Sequence, residues 1–245
     1  MFPLRDDNPT TTPAFVTYFL IAINISVWVF AQGAGADGAV SASVCNWGLI
    51  PGELLLKVEP GSGFAMGKEM ACLMDPGRAP EHILTSMFLH GSWGHILGNM
   101  WFLFIFGNNI EEAFGHLKFL LFYLISGVAA AALQVAMEPA SMIPMVGASG
   151  AISGVMGAYL LLYPRARVHN LLFLGFYITT IALPAWVMLG YWMLLQVVGG
   201  VVQSGGEGGT AFWAHIGGFA AGLVLGLFAA ARVKRRQRWG SPLES

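Results

Sequence analysis

The stretch AFWAHIGGFAAGLVLG, Ala211 to Gly226, decides the fold. After His215 come Gly218, Gly222 and Gly226, one glycine every fourth residue in an otherwise apolar run. At that spacing the glycines fall on one side of a helix. Such bare stripes let helix backbones approach closely in lipid. A second stretch carries the matching feature. In MVGASGAISG, Met145 to Gly154, and just beyond it, Gly150, Ser153, Gly154 and Gly157 follow Ser149 at helical spacing. Each ridge starts at a polar residue, Ser149 on one and His215 on the other. Packing ridge on ridge, in parallel, brings hydroxyl and imidazole together.

The rest of the chain says what solvent these helices meet. Of 245 residues, 56% are hydrophobic and only 10% are charged. A soluble domain carries roughly 25% charged residues, so too little polar surface remains to coat a water-soluble globule. The expected fold is an all-α polytopic membrane protein with the lipid bilayer as its surroundings. A net charge of −1 gives no electrostatic basis for binding nucleic acid. Six apolar segments can be read, at about residues 14–32, 94–110, 117–136, 150–163, 185–202 and 211–231; a span needs ~20 residues. The apolar stretch 171–183 is too short to span and rich in β-branched and aromatic residues. It is expected to lie against the interface or the protein body before Pro184 opens the fifth helix.

Lys and Arg in the short loops orient the spans. Lys118 follows the second segment, Arg165 and Arg167 follow the fourth, and Arg232, Lys234, Arg235, Arg236 and Arg238 follow the sixth. The other two short loops have none. Six transmembrane helices with cytoplasmic N and C termini are therefore expected. Residues 1–13 form a cytoplasmic tail, 14–231 the membrane domain and 232–245 a basic cytoplasmic tail. The long first loop, about 33–81, faces outside, with three Pro-Gly pairs (51–52, 60–61, 76–77) marking turns. The N-terminus lacks the basic cluster of a signal peptide, so no cleavage is expected there. Cys45 and Cys72 fit no metal spacing; both a disulfide and two free thiols stay open. No signal for an oligomeric state is present.

Polar groups within a bilayer are functional candidates by default. Asp6, Asp7, Asp37 and Asp75 all precede the second span, which excludes paired intramembrane aspartates. No His-Glu-x-x-His occurs, and no carboxylate or cysteine supports a metal on His90, His95 and His215, so no metal or cofactor is expected. His90 is read as structural, bonding nearby loop backbone, and His82, His116 and His169 as interfacial. In FLHGSWGHILGNM, His95 and Asn99 are four apart and share a helix face. The second, fourth and sixth spans run outside to inside, so His95, Asn99, Ser149 and His215 lie at similar depth in the outer half of the membrane. A serine hydroxyl needs a base to become a nucleophile, and His215 is the acceptor this geometry offers. His95, Asn99 and the Ser149 backbone N–H at a helix N-terminus form a candidate oxyanion hole. Gly147, Gly150, Gly154, Gly218 and Gly222 are read as the packing support. Glu111 and Glu112, at the inner end of the second span, either pair with neighbours or mark the boundary.

The segments FLHGSWGHILGNMWFLFIFGNNIEEAFG, VGASGAISGVMGAYLLLYPRARV and AHIGGFAAG, in this order over about residues 82–226, resemble the rhomboid intramembrane serine proteases. The resemblance implies a rhomboid-like bundle, Ser149 as nucleophile, His215 as general base, and His95, Asn99 and the Ser149 N–H as oxyanion donors. It implies hydrolysis of peptide bonds in or near the transmembrane helices of single-span substrates at the cell (inner) membrane, from a site open to the extracytoplasmic side. It implies that the fifth span and the 203–212 loop act as gate and cap. Two departures stand out. Glu81-His82 lies where some members carry Trp-Arg, and Ser153 lies where some place an aromatic ring under the histidine. A non-proteolytic relative that binds membrane proteins, and a small transporter, are the alternatives. Ser149 and His215 argue against the first, and the lack of repeat symmetry and of intramembrane acids against the second.

Overall fold

A computed structural model describes residues 2–59, 61–66, 70–74, 79–174, 177–202 and 210–239. The chain begins with strand β1 (Phe2–Asp6) and helix α1 (Phe15–Ser26), which runs on as a wider π-turn through Ala31. The first loop holds α2 (Asp37–Trp47), α3 (Pro51–Leu54) and a hairpin of β2 (Gly63–Met66) and β3 (Met70–Leu73). Then come α4 (His82–Thr85), α5 (Trp93–Phe114), α6 (His116–Met137) and α7 (Ser149–Leu162). A second hairpin of β4 (Arg167–Leu174) and β5 (Tyr177–Pro184) precedes α8 (Ala185–Val202) and α9 (Phe212–Trp239).

The architecture is mostly helical rather than all-α. The stretch read as a short interfacial segment is the β4–β5 hairpin, which β1 joins in a sheet of order β1-β4-β5. Apolar, β-branched residues suit a strand, but a strand also needs a partner, and here it is supplied partly from the other end of the chain. Phe2 pairs with Leu171 and Asp6 with Val168. Pro3, which has no N–H to donate, sits at a bulge on this edge strand. Within the first loop, Pro51-Gly52 opens α3 instead of marking a turn, because proline at a first helical position lacks only an N–H that would be unpaired anyway. Cys45 of α2 and Cys72 of β3 form a disulfide, which settles the alternative left open above.

Among the described residues, three helices are long and apolar enough to cross a membrane: α6, α8 and α9 through Ala231. The apolar helices Phe15–Ala31 and Ser149–Leu162 are shorter. The 14 residues of α7 reach only ~21 Å, but this helix does not face lipid. Gly150 through Tyr159 are all buried, and α5, α6, α8 and α9 pack around it. A helix that is apolar all round belongs in such a centre.

The contact of α7 with α9 is backbone on backbone. A Cβ at Gly218 would strike the Gly150 carbonyl oxygen, one at Gly222 the Gly154 carbonyl oxygen, and one at Gly157 the Phe219 carbonyl oxygen. Gly150 and Gly154 also face α6, where a side chain would meet Ala130 and Ser126.

The C-terminal end of α5 ties down the start of α1. Ala14, at the cap position of α1, offers no side-chain acceptor. The buried Glu111 carboxylate supplies one from α5, accepting from Val16 N at 2.9 Å, Thr17 N at 2.7 Å and Thr17 Oγ1 at 2.7 Å. His116 Nδ1 lies 2.6 Å from the same group. Glu112 accepts from Thr11 N and Thr12 N, each at 2.8 Å. A carboxylate at a helix N-terminus satisfies orphan N–H groups and opposes the helix dipole. Both acids therefore pair with neighbours. Glu111→Ala is expected to destabilise the fold by on the order of 3 kcal/mol, because it strands buried donors; a thermal unfolding midpoint in detergent checks this. Asp6 adds a further tie, accepting hydrogen bonds from Asn109 Nδ2 at 3.0 Å and from the Tyr159 hydroxyl. Burial pushes its carboxyl above the ordinary carboxylate range, with the Tyr159 hydrogen bond acting in the opposite direction.

Candidate active site

Ser149 is the first residue of α7, so its backbone N–H has no acceptor within the helix. The chain reaches it through Gly147 at φ +125°, a conformation that L side chains rarely adopt. A Cβ at Gly147 would stand 2.7 Å from His95 Nε2 and 3.5 Å from Ser149 Oγ. Gly147, expected as helix-packing support, is therefore a loop residue: it lies before the helix starts, and its bareness leaves room for the His95 ring.

His215 sits in the first turn of α9, and its Nε2 is 2.8 Å from Ser149 Oγ. The glycine contacts at Gly218 and Gly222, one and two turns along, hold the two helices close enough for this. His95 is placed by its own sequence. The Ser92 hydroxyl caps α5 by accepting from His95 N at 3.2 Å, and the Gly91 N–H donates to His95 Nδ1 at 3.3 Å. With Nδ1 accepting, a neutral ring carries its hydrogen on Nε2, the atom beside Gly147. Asn99, one turn further, is buried, and its Nδ2 has no hydrogen-bond partner among the described residues. These groups line a cleft of about 610 Å³.

Residues 79–232 match the family model of the Rhomboid domain, well over half of the chain. This chain belongs to the rhomboid family. Among relatives of this rhomboid, Rhomboid-like protease 5 of Toxoplasma gondii is 33% identical over 166 residues, which is 64% of the present chain and 17% of that protein. Rhomboid protease GluP of Bacillus subtilis (strain 168) is 32% identical over 154 residues, 63% of this chain and 28% of the relative. Rhomboid-like protein 11, chloroplastic, of Arabidopsis thaliana is 28% identical over 152 residues, 58% and 50% of the two chains. The chain spans half or less of the length of these curated relatives.

Spacing in this rhomboid did not lead to three further residues around His215 and the first turn of α9. Gln196 Oε1 of α8 is 2.7 Å from His215 Nδ1. The Trp192 ring lies against the His215 ring, with centroids 5.7 Å apart and planes at 40°. Gln134 of α6 accepts from Ala214 N at 3.1 Å and so satisfies a free N–H in the first turn of α9, beside His215. A signal existed: both glutamines are amides inside apolar runs, and that alone marks a functional candidate in a membrane helix. Ser153 does not take the place of an aromatic support; its hydroxyl donates to the Ser149 carbonyl at 2.6 Å. His90 meets the loop through its backbone, its N–H donating to Gln32 Oε1 at 2.8 Å, while its ring packs edge-on to His95. His169 bonds Asp7, with Nε2 to Oδ2 at 2.8 Å. Of the expected cap, residues 203–209 lie outside the described residues.

Proposed function

We propose that this rhomboid is a serine endopeptidase that cleaves transmembrane or juxtamembrane segments of single-span membrane proteins. One observation carries the reading: the Ser149 hydroxyl and the His215 imidazole lie within hydrogen-bond distance in a cleft that the donors His95 and Asn99 also line. His215 Nε2 takes the Ser149 proton as Oγ attacks the substrate carbonyl carbon. The tetrahedral oxyanion accepts hydrogen bonds from His95 Nε2–H, Asn99 Nδ2–H and the Ser149 N–H. His215 then gives its proton to the leaving nitrogen as the peptide bond breaks, leaving an acyl ester on Ser149. Water, deprotonated by His215, attacks that ester; the acid leaves and Ser149 recovers its hydrogen. No metal or cofactor enters this scheme.

The same reading assigns six spans: α1 with its extension, α5, α6, α7, α8 and α9. It places residues 1–13 and 232–245 in the cytoplasm and opens the cleft to the extracytoplasmic side of the cell (inner) membrane. Charge distribution supports this orientation, since basic residues follow α5 and α7 and fill the end of α9 beyond its apolar part. Incubating the purified chain with a panel of single-span proteins and weighing the products is the direct test; absence of any cleavage within or beside a substrate span refutes it. In the same assay Asn99→Ala is expected to lower kcat by about 10²-fold with KM nearly unchanged, because it removes one oxyanion donor and leaves two.

A further inference from the structure

The opposite side of the imidazole, away from Ser149, faces α8. This helix turns a narrow stripe inward, Ala185, Met188, Leu189, Gln196 and Gly200, while Tyr191, Leu194, Leu195, Val197 and Val198 are exposed. Gln196 is the only polar residue on that stripe. A primary amide in such a place costs free energy unless both its ends are hydrogen-bonded. Oε1 meets His215 Nδ1 at 2.7 Å, and Nε2 donates to the Trp192 carbonyl at 3.4 Å. The second bond, at the long end of the range, favours the orientation that turns Oε1 to the ring. The height of α8 is set one turn later, where Cβ atoms at Gly199 and Gly200 would meet the Phe212 and Trp213 rings at the start of α9.

We propose that Gln196 is a positioning residue for His215: its carbonyl oxygen accepts the Nδ1–H and reserves an unprotonated Nε2 for the Ser149 hydroxyl. A neutral imidazole has one donor and one acceptor nitrogen. A carbonyl oxygen 2.7 Å from Nδ1 requires the hydrogen there, since two acceptors facing each other repel. The acceptor at Nε2 then follows. In the Ser-His-Asp arrangement a carboxylate sets the tautomer and also stabilises the imidazolium. An amide does the first without adding a charge to the membrane interior. Because Gln196 belongs to α8 and His215 to α9, the base is correctly protonated only while α8 is seated. The role rests on the assignment of Ser149 and His215 given above.

The test uses the full chain in detergent with 15N-labelled histidine, the His215 signals being assigned by their loss in His215→Ala. Wild type is expected to show His215 with its hydrogen on Nδ1. Gln196→Met keeps the length of the side chain and removes the acceptor; it is expected to move the hydrogen to Nε2 and to lower kcat about 10- to 100-fold, with KM and the unfolding midpoint unchanged. Gln196→Glu restores an acceptor and is expected to recover both the tautomer and kcat to within about threefold of wild type. Wild-type His215 carrying its hydrogen on Nε2 overturns the proposal, and so does Gln196→Met with unchanged tautomer and kcat. Should Gln196→Met not fold, the wild-type spectrum decides alone. Absence of Ser149-dependent cleavage in wild type strikes the protease reading instead, and leaves the tautomer measurement standing.

Discussion

Ser149→Ala is expected to reduce cleavage of a helix-bearing substrate by at least about 10⁴-fold, and His215→Ala to match it. Members of a nucleophile–base pair act as a unit, so losing either removes nearly all of the covalent pathway. The fold is expected to survive. Alanine is a better helix former than serine, and the hydrogen bond of Ser153 runs to the Ser149 backbone carbonyl, which the substitution keeps. The measurement is product mass against time, with a thermal midpoint as the control for folding. Retained cleavage in either variant ends the assignment of the pair. A serine-reactive fluorophosphonate that labels the chain equally with and without Ser149 returns attention to a relative that binds membrane proteins without cutting them. Substrate-dependent flux that survives Ser149→Ala points to a transporter.

The second large effect comes from a residue that touches no substrate. Gly222→Ala is expected to lower both the unfolding midpoint and the cleavage rate, the latter by about 10²-fold, the penalty that ~1 Å of misplacement between reacting groups carries. The reason is what the new methyl would meet. At Gly222 a Cβ lands on the carbonyl oxygen of Gly154, and it stands 2.6 Å from the Gly154 carbonyl carbon and 2.7 Å from its Cα. Backbone cannot rotate away as a side chain can, so α9 must move off α7. The displacement reaches His215, two turns along the same face. Ala220→Val enlarges an exposed position on the same helix and is the control, expected to change neither quantity. A Gly222→Ala chain with wild-type rate and midpoint contradicts the close packing of these helices.

The properties already present in the sequence are the local ones. Small residues after Ser149 and His215 recur at the helical period, and that period is a property of the backbone alone. A chain with 10% charged residues cannot coat itself for water, whatever its topology. The chemistry of a serine, two histidines and an asparagine within apolar runs is likewise carried by the residues themselves.

Only tertiary structure decided which groups meet across distance. Gln196 reaches His215 because α8 is rotated so that its single buried amide faces α9, and the exposed apolar residues on every other side of α8 leave that rotation unmarked in the sequence. Gln134 reaches the start of α9 for the same reason. The β4–β5 hairpin takes a third strand, β1, from 169 positions earlier at the Phe2–Leu171 pair, and no local pattern announces a partner so far away. Gly147 shows the limit most plainly. It belongs by spacing to a run of small residues, yet its φ of +125° and the His95 ring against it arise from how the loop enters α7. Periodicity is written along a helix; the angle at which one helix faces another is set by the packing of all of them.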